Sequence, residues 1–211
     1  MPFDLWLAFA AASTVLLVIP GPTLMLVLSY AMTQGRRVAV ASALGVATGD
    51  LIAMSLSVIG LGALLLTSAL AFTVLKWVGA IYLVYLGLRM LRSAMRPGQT
   101  TALTDRPAGE SAGKVFRDLA TVTALNPKSN TFFIAFVPQF INAEHAFAPQ
   151  AAILIATFVS IAGINALVFA IGANSIRNKI TRPSVITWLT RAGGLTLIAM
   201  AALTATLRRA T

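Results

Sequence analysis

Pro20-Gly21-Pro22 interrupts an apolar run that begins near Leu5 and resumes through Thr23-Leu24-Met25-Leu26-Val27-Leu28. A helix interior tolerates this triplet badly. Each proline removes a backbone donor and clashes with the preceding turn, and the glycine adds backbone freedom. In hydrocarbon each freed carbonyl or unpaired N–H costs several kcal/mol, so broken backbone at membrane depth is confined to protein-lined or watered cavities. A lone proline reads as a structural kink. The triplet reads as a functional break.

The chain around it has the composition of an integral membrane protein. Of 211 residues, 58% are hydrophobic and 10% charged, and the mean hydropathy is +0.85. A soluble domain carries far more polar surface. The net charge of +10 does not point to nucleic acid. Lys and Arg sit mostly in short segments between apolar runs, as the positive-inside rule expects. The chain has no Cys, which excludes disulfides, thiolate metal sites and thiol redox chemistry. One His and six acidic residues leave little for a metal cage, and no cofactor is expected. The start, Met-Pro-Phe-Asp, lacks the positive n-region of a cleaved signal peptide, so the first apolar run is expected to be retained.

Apolar stretches of spanning length lie at about 4–31, 39–66, 69–91, 117–141, 147–173 and 185–207. The expected fold is therefore all-α, a polytopic membrane protein with six transmembrane helices. Arg36 and Arg37 follow the first stretch. Arg89, Arg92, Arg96, Arg106, Lys114 and Arg117 surround the gap between the third and fourth, and Arg177, Lys179 and Arg182 follow the fifth. The alternate loops carry no Lys or Arg: 66–69 is uncharged, and 142–147 holds only Glu144 and His145. This pattern places the charged loops in the cytoplasm and both termini outside. Arg208 and Arg209 run against it.

The polar stretch 93–113, with Pro97-Gly98, Pro107 and Gly109, reads as a cytoplasmic linker between two three-helix halves, 1–92 and 114–211. Three is an odd number, so the second half enters from the opposite side, giving a 3+3 inverted repeat. The first span of each half carries a break, at Pro20-Gly21-Pro22 and at Asn126-Pro127-Lys128. Interrupted helices in matching positions are the best sequence pointer to a transporter binding site.

Two ionisable residues fall inside the spans. At about 1.5 Å per helical residue, Asp50 lies about 18 Å from the cytoplasmic end, Lys128 about 14–17 Å and Pro22 about 14 Å. All three fall near the middle of a core about 30 Å thick. An unpaired charge there costs about 2.5–3.5 kcal/mol on insertion scales. Pairing Asp50 with Lys128, facing a wet cavity or protonating Asp50 would each lower that cost. The structural reading is a buried ion pair tying the halves together. The functional reading gives Asp50 a proton coupled to transport, with Lys128 offsetting its charge or binding a carboxylate. Around Asp50, Ala43, Ala47, Met54 and Ser57 share its helix face, while Gly45, Gly49, Leu56 and Gly60 lie on a neighbouring one. Gly45 and Gly49 form a small-xxx-small pair suited to close helix packing. Asn165 lines the same cavity or bonds across helices. Lys76 and Arg191 can snorkel, and Trp6 and Trp77 read as interfacial anchors.

The breaks also suggest what they would hold. A half-helix start favours an anion and a half-helix end a cation. Two facing breaks suit a zwitterion such as an amino acid, and a small ion remains open on these grounds.

With these residues in view, the chain resembles the LysE/RhtB family of amino-acid exporters along nearly its whole length. The first half carries Pro20-Gly21-Pro22, Gly35-Arg36-Arg37, Gly45-Val46-Ala47-Thr48-Gly49 and Leu75-Lys76-Trp77-Val78-Gly79-Ala80-Ile81-Tyr82-Leu83-Val84-Tyr85-Leu86-Gly87. The second carries Asn126-Pro127-Lys128, Thr131-Phe132-Phe133 and Phe136-Val137-Pro138-Gln139-Phe140. The chain departs from the family pattern at Phe116-Arg117-Asp118-Leu119, at Ser129 and at Gly172-Ala173-Asn174-Ser175. The resemblance implies a multi-pass inner-membrane protein that exports amino acids such as homoserine, threonine, leucine or basic amino acids by proton exchange, and it also implies dimers.

The leading expectation is a secondary exporter of amino acids or related small metabolites, working by alternating access and needing no covalent chemistry. Pro20, Gly21, Pro22, Asn126, Pro127, Lys128 and Asn165 would form or gate the midplane site, and Asp50 would couple the proton. Its partners would be a small zwitterion, protons and the lipid bilayer. The alternative is a small-cation exporter, against which the few acidic residues and Lys128 argue. A membrane-embedded lipid-modifying enzyme would have only Asp50 and hydroxyl residues for its chemistry, with His145 in an outer loop. An assembly protein would have no use for two matched helix breaks.

Overall fold

The computed structural model describes residues 1–19, 21–67, 69–95, 109–142, 145–180 and 183–206. Pro20, Ser68, Arg96, Arg106, Pro107, Glu144, Arg182, Arg208 and Arg209 lie outside the described residues, as does the side chain of Lys76. The helices are α1 (Phe3–Val18), α2 (Pro22–Gln34), α3 (Ala39–Thr67), α4 (Ala69–Ala94), α5 (Ala112–Ala124), α6 (Pro127–Ala135), α7 (Phe147–Ile180) and α8 (Pro183–Thr206). Short 3₁₀ turns follow α2 at Gly35–Val38 and α6 at Val137–Phe140. No strand occurs among the described residues.

Most of these helices are apolar on all sides, as expected where hydrocarbon forces every backbone group to bond within its own segment. By length and composition, Arg36–Gly62 and Phe147–Ala173 can each cross a membrane. The α1 and α2 pair passes the same test jointly, with a 56° bend between the two helices. The amphipathic exception is α5, which buries Val115, Leu119 and Thr123 one turn apart and exposes Lys114 and Arg117. Its Ser111 N-cap accepts from the Lys114 N–H at 3.3 Å. That cap starts the helix at Ala112, inside the stretch read as linker.

Between apolar helices in lipid there is no hydrophobic drive to associate, so close van der Waals approach matters most. Small residues supply it here. A methyl added at Gly45 would lie 2.6 Å from the Phe116 carbonyl oxygen, and one at Gly49 would lie 2.5 Å from that of Ala120. Both glycines therefore seat α3 against α5. A methyl at Gly87 would lie 2.6 Å from the Gly194 carbonyl oxygen, and one at Gly194 would lie 2.7 Å from that of Gly87. This reciprocal contact brings α4 and α8 together backbone to backbone. On the other face of α3, Ala43 and Ala47 approach Gly163 of α7.

Phe9, Phe132, Phe133, Phe136, Phe140 and Phe158 form a buried aromatic cluster with neighbouring centroids 4.8–6.3 Å apart. Offset and edge-to-face pairs of this kind contribute about 0.5–1.5 kcal/mol each beyond area burial. The cluster joins α1, α6 and α7 and fixes α6 where it meets the end of α1. Trp6, read as an interfacial anchor, is half-buried, and its indole Nε1 donates to Thr157 Oγ1 at 2.9 Å. This bond ties α1 to α7. Outward, α4 exposes Leu70, Val74, Trp77, Val78, Ile81 and Tyr85, an apolar surface suited to a bilayer.

Candidate functional site

Helix α1 ends at Val18 and its last carbonyls have no intrahelical donors. Side chains from the second half of the chain supply them. Lys128 Nζ donates to the carbonyls of Leu16 and Ile19, each at 2.9 Å. Asn165 Nδ2 donates to the carbonyl of Leu17 at 3.2 Å. Gly21 makes room for the ammonium: a methyl there would lie 3.3 Å from Lys128 Nζ and 3.5 Å from its Cε. The lysine thus answers the negative end of one helix from the first turn of another.

The α5–α6 junction is built differently. Asn126 is the N-cap of α6, with Pro127 in the first turn, where its missing N–H costs nothing. Asn126 Oδ1 accepts from the Lys128 N–H at 3.0 Å. Its Nδ2 donates across to Thr23 Oγ1 at 3.1 Å, and Thr123 Oγ1 donates to the same oxygen at 3.3 Å. Thr23 therefore joins the start of α2 to both sides of the second junction.

These groups surround a cavity of about 30 Å³, lined by Gly21, Thr23, Asp50, Asn126, Lys128 and Asn165 among others. Asp50, from the middle of α3, is 1% exposed, and its Oδ1 has no hydrogen-bond partner. Lys128 acts on it electrostatically, yet the lysine's hydrogen bonds go to α1 carbonyls and not to the carboxylate. A buried carboxylate left this way is costly.

Of the residues expected at the site, Gly21, Asp50, Asn126, Lys128 and Asn165 meet at the cavity. Pro22 and Pro127 are exposed and do not line it. Pro20 is outside the described residues. Gly45 and Gly49 face α5. Thr23, Thr123 and Ser129 also line the cavity and were not expected from the sequence. Their one available signal was position, each lying within two or three residues of a break. A second polar cluster lies apart from this cavity. The buried Tyr30 hydroxyl donates to Asp118 Oδ2 and lies 3.4 Å from Glu110 Oε2, while Glu110 Oε1 pairs with Lys114 Nζ at 2.6 Å. That cluster links α2 to α5 at the position where the chain departs from the family motif.

Comparisons of the sequence with known proteins place the chain among membrane transport proteins. Residues 14–207 match the family model described as LysE type translocator. A homoserine/homoserine lactone efflux protein of Salmonella typhimurium is 35% identical over 211 residues, covering 100% of both chains. An uncharacterized membrane protein of Vibrio cholerae is 31% identical over 194 residues, 92% of this chain and 93% of its own. A leucine efflux protein of Klebsiella pneumoniae is 31% identical over 139 residues, 65% of this chain and 63% of its own. No solved structure matches significantly. Members of the matched family are translocators and not enzymes. This chain, matched from residue 14 to residue 207, belongs to the LysE type translocator family.

Proposed function

We propose that the chain is a secondary exporter of amino acids or related small metabolites, coupled to protons and working by alternating access. One observation carries the reading: the ends of two interrupted helix pairs, a buried carboxylate and a buried ammonium converge on one cavity. The relatives named for homoserine and leucine efflux point to the same substrate class. In this reading Asp50 binds the counter-moving proton. Gly21, Asn126, Lys128 and Asn165 contact the zwitterion, while Pro22 and Pro127 set the course of the backbone around it. The cavity of about 30 Å³ has room for one or two waters. Admitting an amino acid requires the elements around it to part, which is what alternating access provides.

We place the chain in the inner membrane as six spans in a 3+3 inverted repeat, with α1–α2 and α5–α6 each forming one interrupted span. The packing pattern supports this. Exchanging α1–α2 with α5–α6, α3 with α7 and α4 with α8 maps the α3–α7 and α4–α8 contacts onto themselves. The same exchange turns α3–α5 into α1–α7, and α2–α7 into α3–α6, all of them present, whereas α4–α6 has no α2–α8 counterpart of comparable extent among the described residues. The charged loops would then face the cytoplasm, and dimers are consistent with the lipid-facing surface of α4.

The test is efflux of preloaded labelled amino acids from vesicles, with and without a pH gradient. Gradient-dependent efflux of at least one amino acid is expected. A broad panel with none would end the proposal.

A further inference from the structure

We infer that Lys128 is a tethered internal ligand, holding the place of the substrate's ammonium and exchanging it for the substrate's carboxylate when an amino acid binds. The inference rests on the amino-acid reading above and assigns the two ends of the zwitterion within the same site.

The argument begins with where the charges lie. The negative end of α1 is a natural cation site, and its occupant is the protein's own ammonium, on the carbonyls of Leu16 and Ile19 at 2.9 Å each. Gly21 leaves that ammonium close against the bare backbone. The same cavity contains a carboxylate, Asp50, whose Oδ1 has no hydrogen-bond partner although the residue is 1% exposed. A cation site filled by a side chain beside a carboxylate with one oxygen lacking a hydrogen bond is an incomplete arrangement. A primary ammonium taking the α1 carbonyls and Asp50 together would complete it.

The lysine can leave. It sits on a flexible four-carbon stem and binds as a point charge with no geometric fork to satisfy. It starts from the first turn of α6, beside Ser129, which also lines the cavity. Once displaced, its ammonium needs a new anion. An amino acid brings one on the adjacent carbon. The exchange replaces one set of charge–carbonyl bonds by the same bonds plus two ion pairs in a site of low dielectric.

This arrangement rejects near-miss ligands by leaving charges unpaired. A primary amine without a carboxylate would displace Lys128 into a cavity that already holds another cation. A carboxylic acid without an amine would pair with Lys128 while the carbonyls of Leu16 and Ile19 lose their donor and Asp50 Oδ1 still lacks a hydrogen bond. Only the zwitterion satisfies all groups at once. Removing the lysine's charge should therefore do more than weaken binding. It should reverse the preference from amino acid to amine.

The experiment uses the purified full chain in detergent. Calorimetry first screens the common amino acids and L-homoserine, then compares the best binder with its decarboxylated amine, for example L-leucine against isopentylamine. The wild type should favour the amino acid by about tenfold to hundredfold, the range of one charge-assisted contact. In Lys128→Met the amino acid should weaken and the amine tighten by similar factors, inverting the ratio. Lys128→Gln guards against misfolding in Lys128→Met, because its amide still donates to an α1 carbonyl; it should lose the amino-acid preference as well. A folded variant that keeps the wild-type ratio within about twofold overturns the inference and leaves the exporter proposal standing. A wild type that binds no amino acid removes the exporter reading, and this inference with it.

Discussion

At Asp50 a carboxylate from the middle of α3 reaches the cavity with one oxygen unpartnered. The rarity of an acidic residue inside an apolar stretch makes such a position legible in sequence, since the bilayer tolerates it only for a reason. Lys128 is legible for the same cause. The destination of its hydrogen bonds is not, because the α1 carbonyls lie more than a hundred residues away in the chain. Asp50→Asn keeps the shape and removes the charge. It is expected to lower efflux by at least about tenfold, on the scale of one charged hydrogen bond, and to abolish dependence on the pH gradient. Undiminished, still gradient-dependent efflux by this variant would exclude Asp50 as the proton carrier. Asn126→Ala removes both the α6 cap and the link to Thr23. We expect it to cost about 1–2 kcal/mol of stability, seen as a lower melting temperature in detergent.

On α3, small residues recur from Gly45 to Gly60, and the sequence does not say which of them touch a neighbour. The fold separates them. A methyl at Gly49 meets the α5 backbone, whereas at Gly60 nothing lies within 4 Å. Gly49→Ala is therefore expected to cost about 1–3 kcal/mol through overpacking against a backbone that cannot rotate away. Gly60→Ala should leave stability unchanged or raise it by up to about 1 kcal/mol, the helix preference of Ala over Gly. Thermal melts of the two variants side by side check this, and equal losses would contradict the packing described. The start of α5 is a second case at this scale. Loss of hydrophobicity marks 93–113 as a linker, but the Ser111 cap already commits the chain to helix at Ala112.

The topology of the whole chain can be mapped directly, because the protein contains no Cys and any introduced thiol is unique. His145 and Gly113 are both exposed, and nothing lies within 4 Å of a methyl at Gly113. In intact cells a membrane-impermeant maleimide should label His145→Cys. It should reach Gly113→Cys only after permeabilisation. The opposite pattern would invert the proposed orientation.

Apolar length, the sparse positions of charge and the two proline interruptions are properties of the linear chain. They determined that this protein is helical and membrane-embedded, and they singled out Gly21, Asp50, Asn126 and Lys128, because the solvent acts on each segment separately. Partnership depends on how segments cross, and local sequence carries little of that information among helices that are apolar all round. Only the tertiary structure decided that Thr23 bridges the two junctions, that Gly87 faces Gly194, and that Lys128 caps α1 while Asp50 Oδ1 goes unpartnered. Each of these is a contact between distant parts of the chain, fixed by backbone approach and by the need to satisfy buried polar groups.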